Sequence, residues 1–218
     1  MDDVARDPQQ EGPRVRDLPA PRKNRSAAGG TLQRSMAWPY RAILAFLLWT
    51  RIRPLQLTLL SLLLNVVSGA LILRGAWFAA GVVLLAAGLA DVFDGSVARQ
   101  RGTEGRSGAF MDSVLDRIAD MILFSTLFWV LAERGETVYA ALALVTLVVS
   151  LLVSHIRAEA EAAGLSLTEG FFQRLERFLA LMAGLVIPGA MEPVLVVLAA
   201  LGAVTVLQRL WSAVRQLA

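Results

Sequence analysis

Residues Asp91 to Asp116 read DVFDGSVARQRGTEGRSGAFMDSVLD, with an apolar run on either side, Ala76 to Ala90 before and Met121 to Ala132 after. Four carboxylates, Asp91, Asp94, Asp112 and Asp116, therefore stand where two membrane helices meet water, and ionised groups at such depth are costly without partners. On a helix, Asp91, Asp94 or Gly95, and Ala98 share one face, while Gly108, Asp112 and Asp116 form a second stripe at spacing four. Two facing stripes bring the four carboxylates to one point. Their repulsion is relieved most directly by one or two hard divalent cations held by oxygen alone, and Mg²⁺ or Mn²⁺ fits carboxylates that also hold a phosphate. A single aspartate at a helix end is ordinarily a solvated interfacial charge; four at this spacing, beside small residues that leave room for a ligand, point to a site.

The rest of the chain is what such a site needs around it. It has 218 residues, 56% of them hydrophobic, and a mean hydropathy of +0.58, far too apolar for an ordinary soluble domain. Cysteine is absent, which excludes disulfides and thiolate metal sites, and the single histidine, His155, excludes a histidine-rich one. Residues 1–36 are polar, rich in Pro, Gly, Arg and Asp, and read as a disordered basic cytoplasmic tail; residues 37–218 form one polytopic membrane domain. Ala37 to Arg53 mixes Trp38, Tyr40, Phe46 and Trp49 with Arg41, Arg51 and Arg53, which reads as an amphipathic helix lying in the interface and broken by Pro54. Six spans follow: Leu57–Leu73, Ala76–Arg99, Gly108–Ala132, Val138–Arg157, Phe172–Ile187 and Val194–Leu210. The fold expected is all-α, an integral membrane protein with six transmembrane helices preceded by the interfacial helix.

Arginine and lysine placement orients it. Ten of the 21 basic residues fall in the tail and interfacial helix, and Arg99, Arg101, Arg106, Arg157, Arg174, Arg177, Arg209 and Arg215 fall on the same side, against Arg74 and Arg134 on the other. Both termini and the aspartate site are thus expected at the cytoplasmic face of the cell membrane.

Asp91-x-x-Asp94-Gly95-x-x-Ala98-Arg99, eight residues, then Gly108-x-x-x-Asp112-x-x-x-Asp116 resembles the complete signature of the CDP-alcohol phosphatidyltransferases, and the resemblance extends over about residues 54 to 211. It implies that an alcohol hydroxyl attacks the lipid-side phosphorus of a CDP-linked lipid, CMP leaves, and a phosphodiester remains. In that scheme Asp91, Asp94, Asp112 and Asp116 hold Mg²⁺ or Mn²⁺, with Asp116 also the catalytic base. Asp91, Gly95, Ala98, Arg99 and Gly108 receive the nucleotide of the CDP-lipid.

Ser154 to Gly164, then Arg174-x-x-Arg177 and Gln208-Arg209, is similar to the branch that synthesises phosphatidylinositol phosphate. There Ser154, Arg157, Arg177 and Arg209 match positions that bind the phosphate of the acceptor. His155 stands where that branch has Tyr, Glu159 where it has Arg, and Lys is more usual at position 157. A carboxylate in a phosphate pocket is repulsive, so glycerol phosphate stays open as an alternative acceptor. From another class, intramembrane carboxylates also build cation transporters. Arg117 and Asp120, just past the motif, have the spacing of an intramembrane ion pair. The expected partners are CDP-diacylglycerol, a small phosphorylated alcohol, membrane lipids and, from the resemblance, a second copy in a homodimer; nucleic acid is not among them.

Overall fold

The computed structural model describes residues 29–165 and 174–217, with side chains from residue 38 onward. Seven helices and no strand occur among the described residues: α1 Gly29–Trp49, α2 Pro54–Leu73, α3 Trp77–Arg101, α4 Arg106–Glu133, α5 Thr137–Ala162, α6 Arg174–Val186 and α7 Met191–Leu217. Packing runs α2 on α3 and α4, α4 on α5, α5 on α7, α6 on both α3 and α7, and α1 on α3.

Helix α2 shows why this bundle belongs in lipid. Its buried face carries Ser61, Asn65 and Ser68, whereas Leu59, Leu60, Leu63, Val66 and Val67 point outward and are exposed. In water that arrangement would be inverted; in hydrocarbon it is the stable one, because polar side chains find partners only inside the bundle. Asn65 donates to the Ser61 carbonyl at 2.8 Å and Ser68 to the Ala80 carbonyl of α3 at 3.0 Å. Leu84 of α3, Phe124 and Leu127 of α4, and Leu195 and Leu198 of α7 make the fully buried apolar core. Close approach of α3 and α6 depends on Gly88: a Cβ there would collide with Cζ of Phe178.

Helices α2, α3, α5 and α7 are long and apolar enough to cross a membrane, so the protein is a multi-pass membrane protein. Two expected spans stand apart from these four. Helix α4 has the length, 28 residues, but its first turns carry the charges of the motif. Helix α6 has 13 described residues, and the start expected for it at Phe172 lies outside the described part. The helix expected at the interface begins earlier than its apolar pattern does: α1 starts at Gly29, so residues 29–36, expected to be part of the tail, are helical. It runs through Pro39 and ends before Arg51, a left-handed residue at φ 55°. The tail reading for residues 1–28 lies outside the described part.

Between α3 and α4 the chain reverses in a short polar turn. Gly102, at φ 61°, donates to the Arg99 carbonyl at 3.2 Å, and Thr103 to the Ala98 carbonyl at 3.0 Å. This is the paired closure that a glycine past a helix end permits. It folds the stripe of α4 back on the stripe of α3.

Candidate active site

Asp91 of α3 and Asp112 and Asp116 of α4 meet at this end of the bundle. One carboxylate oxygen from each lies within 4.8 Å of the others. All three are partly buried, in keeping with carboxylates that face a protein interior and still admit a charged ligand. Asp94 does not join that cluster. It is 7% exposed, and its Oδ2 is buried without a hydrogen-bond partner. It faces the adjoining cleft opposite Thr58 of α2. An orphaned buried carboxylate oxygen calls for a proton, an ion or a ligand donor. Three converging carboxylates beside a fourth with one unpartnered oxygen are a hard, all-oxygen donor set, which fits Mg²⁺ or Mn²⁺. His155 is elsewhere, exposed and 3.9 Å from Glu159.

A cation already stands among these carboxylates. Arg174, the first residue of α6, reaches Asp91 Oδ2 at 3.1 Å and Asp116 Oδ1 at 2.5 Å. Sequence spacing places Arg174 at a helix end; only the packing of α6 on α3 sends its guanidinium into the cluster.

Three cavities open onto the aspartates. A cleft of about 550 Å³ between α2, α3 and α4 is lined by Asp94, Gly95, Ala98, Arg99, Gly108 and Asp112. Gly95, Ala98, Arg99 and Gly108 are four of the five residues expected to receive the nucleotide; the fifth, Asp91, is not in its wall. Gly108 has open space where a Cβ would stand, but over Gly95 the room is taken by the Arg99 guanidinium, 3.4 Å from that point.

A second cavity, about 470 Å³, lies between α4, α5, α6 and α7. Ser154, Arg157, Arg177 and Arg209, the four residues expected to bind the acceptor phosphate, all line it, together with Arg117, Arg174, Asp112 and Asp116. Five arginines, Arg117, Arg157, Arg174, Arg177 and Arg209, thus share one wall with the carboxylates Asp112, Asp116, Asp120 and Glu161, and guanidinium groups are donors of the kind that suit a phosphate. Glu159 is not in its wall; its exposed side chain pairs with His155 on the outside of α5. The repulsion feared from that carboxylate therefore does not arise. Glu161 is the glutamate in the wall, and Arg157 holds it at 2.8 Å.

The third cavity, about 410 Å³ and mainly apolar, lies beside Leu85, Leu89, Phe124 and Phe178 and ends at Asp91, Arg174 and Arg177. Asp112 is thus in the wall of both the cleft and the arginine basin, and Arg174 in that of both the basin and the apolar cavity.

In place of the ion pair expected between Arg117 and Asp120, Arg117 hydrogen-bonds to serines and Asp120 pairs with Arg177. Arg117 donates to the carbonyl and hydroxyl oxygens of Ser113 and to the Ser154 carbonyl. Asp120 accepts from Ser150 at 2.5 Å and from Arg177 at 3.3 Å. Arg177 is buried against Asp120, and a buried charge needs its partner at that place in the bundle. Asp120, read from the sequence only as a partner for Arg117, belongs to the site, and Arg174, read as one of the arginines that could ring an acceptor pocket, reaches the carboxylates as well. Their signal was there: a carboxylate one turn beyond Asp116, and an arginine three before Arg177.

A family model described as CDP-alcohol phosphatidyltransferase matches residues 51–211. Archaetidylinositol phosphate synthase of Methanothermobacter thermautotrophicus is 36% identical over 141 residues, 62% of this chain and 70% of that one. Phosphatidylinositol phosphate synthase of Mycobacteroides abscessus is 34% identical over 143 residues, 62% of this chain and 65% of that one. The crystal structure of Mycobacterium tuberculosis phosphatidylinositol phosphate synthase with CDP-DAG bound superposes with a TM-score of 0.73 at 31% identity, covering 79% of this chain and 92% of that one. The same enzyme with manganese and citrate gives 0.71 at 32% identity, covering 79% and 87%. With the aspartate signature complete, the helices packed as in those crystal structures and the family model spanning most of its length, the chain belongs to the CDP-alcohol phosphatidyltransferase family and is an enzyme of that family.

Proposed function

We propose that this enzyme transfers the phosphatidyl group of CDP-diacylglycerol to a hydroxyl of inositol phosphate and releases CMP. The observation that carries the reading is the shared wall at Asp112, with a cleft for a nucleotide on one side and a basin of arginines on the other. A phosphorus lodged beside Asp112 can be reached from both cavities, and the apolar cavity that ends at Asp91 suits a lipid body. The curated relatives bear names of inositol phosphate lipid synthases, and the position of Glu159 outside the basin removes the sequence argument against that acceptor.

Asp91, Asp94, Asp112 and Asp116 would hold the divalent metal. When bound, that metal supplies positive charge to offset the pyrophosphate and the charge developing on departing CMP. Asp116 takes the proton of the attacking hydroxyl, since it lines the basin where the acceptor lies. Ala98 and Gly108 let the cytidine and phosphates rest against the helix backbones, and Arg99, lying over Gly95, pairs with a phosphate at the rim. Ser154, Arg157, Arg177 and Arg209 receive the acceptor phosphate. The arginine asymmetry supports a site and termini at the cytoplasmic face, and the reading takes α4 and α6 as completing six crossings and, from the resemblance, a homodimer as the assembly.

The test is CMP release from CDP-diacylglycerol across inositol phosphate, glycerol phosphate, unphosphorylated inositol and serine, with Mg²⁺ or Mn²⁺ added. Inositol phosphate is expected to give the highest kcat/KM. Preference for glycerol phosphate would move the enzyme to phosphatidylglycerol phosphate synthesis. Preference for inositol or serine would discard the phosphate basin. Silence with every acceptor, together with aspartate-dependent ion flux in vesicles, would favour cation transport.

A further inference from the structure

The interfacial helix reaches the nucleotide cleft through one buried hydroxyl. Tyr40 of α1 stacks on Phe93 of α3, centroids 5.2 Å apart and planes 21° apart. From there its hydroxyl donates to Ser96 Oγ at 2.8 Å. Ser96 is 3% exposed. Its own proton goes to the Val92 carbonyl at 2.8 Å, and its second acceptor position takes the Arg99 guanidinium at 3.1 Å. A serine hydroxyl has one proton to give and two lone pairs to receive, so Ser96 is saturated, and Tyr40 fills the place that any other donor would need.

Arg99 is thereby fixed at one nitrogen and directed over Gly95 at the rim of the cleft, 4.0 Å from Glu104. Neither Tyr40 nor Ser96 lines the cleft; whatever they do for a ligand there, they do through Arg99. A second clamp sets the same helix in place. Arg101, two residues on, donates to the Ile52 carbonyl at 2.6 Å and the Arg51 carbonyl at 3.3 Å, holding the left-handed exit of α1. Both ends of the contact between α1 and α3 thus converge on the turn of α3 that carries Arg99.

We propose that Tyr40 and Ser96 are positioning residues that hold the Arg99 guanidinium for the pyrophosphate of the CDP-lipid, so that nucleotide affinity depends on the docking of the interfacial helix. This rests on the reaction proposed above, in which the cleft takes the nucleotide. The long, flexible arginine side chain loses much freedom when it grips a phosphate, and an anchor made beforehand lowers that cost. The anchor acts on binding of the CDP-lipid rather than on the acceptor or the chemical step.

The full-length enzyme in lipid nanodiscs tests this. Tyr40→Phe keeps the ring on Phe93 and removes only the hydroxyl; one lost hydrogen bond of this kind is expected to raise KM for CDP-diacylglycerol about 3- to 10-fold, with KM for the acceptor unchanged and kcat within about two-fold. Ser96→Ala should match it. In an Arg99→Ala background Tyr40→Phe should add nothing, since the group it positions is gone. Direct binding of CDP-diacylglycerol, measured without acceptor, should weaken in parallel. An unshifted KM in Tyr40→Phe overturns the relay while the proposed reaction stands. So does an effect that persists undiminished in the Arg99→Ala background, because Tyr40 would then be acting on the fold at large. Wild-type enzyme that binds CDP-diacylglycerol but releases no CMP sinks the proposed reaction, and the binding series then judges the relay alone. Failure to bind it at all overturns both.

Discussion

Arg174 lies with its guanidinium 3.1 Å from the Asp91 carboxylate, carried there from α6, 83 residues along the chain. It reaches Asp116 as well, so one arginine takes oxygen from two of the three converging carboxylates. A divalent cation drawing on those same oxygens has to move it aside. Arg174→Gln is therefore expected to tighten Mn²⁺ binding, by about five-fold if the pairs are worth about 1 kcal/mol in this half-exposed setting. Calorimetric titration of Mn²⁺ into wild type and variant checks it; weaker binding in the variant would mean that Arg174 organises the carboxylates instead of competing for them.

Asp112 faces two cavities, and its loss should be felt from both. Asp112→Asn is expected to lower kcat at least about 100-fold, the scale of removing one preorganised electrostatic contact to the reacting phosphoryl group. KM should rise for the CDP-lipid and for the acceptor alike. Asp94, which faces the cleft alone, should on substitution by Asn raise KM for the CDP-lipid and leave that of the acceptor in place. Steady-state kinetics with each substrate varied in turn separate the two patterns.

Arg177 is 7% exposed and held by Asp120. Arg177→Ala should raise KM for a phosphorylated acceptor at least about ten-fold, the cost of one charge-assisted contact, with the CDP-lipid little affected. Asp120→Asn keeps the shape but loosens the arginine, so a smaller shift in the same direction is expected. If instead the two variants altered only the CDP-lipid KM, the basin would not be the acceptor site.

Packing of α3 on α6 passes over Gly88, where a methyl group would meet the end of the Phe178 ring. Gly88→Ala should destabilise the protein by about 1 to 3 kcal/mol, the usual cost of overpacking, and Phe178→Leu should recover part of that loss. Thermal unfolding in detergent, followed for the two single variants and the double, measures both.

Topology has a clean chemical test, since the chain has no cysteine. Thr103→Cys, in the turn beside the aspartates, should be labelled by an impermeant maleimide from the cytoplasm. Thr137→Cys, exposed at the start of α5, should be labelled from the opposite side. Thr137 is the better position of those near this turn, because Gly135 at φ 77° would strain any side chain placed there. Labelling of Thr137→Cys from the cytoplasm alone would reverse the orientation.

The order of the helices, the aspartate stripes and the arginines near the ends of the helices were all legible in the residues, because each rests on local pattern: apolar runs mark helices suited to lipid, and a spacing of three or four sets a face. The turn was legible too, since a glycine past the end of α3 closes it. Partner choice was not. Asp120 took Arg177 rather than Arg117, Arg174 came in from α6, Asp94 stayed outside the cluster of three, and Glu159 turned away from the basin although its neighbour Arg157 lines it. Each of these depends on the rotation of one helix against another, and that rotation is fixed by packing spread over whole faces, such as Gly88 under Phe178. Spacing along a helix says which residues share a face; only the assembled bundle decides what that face meets.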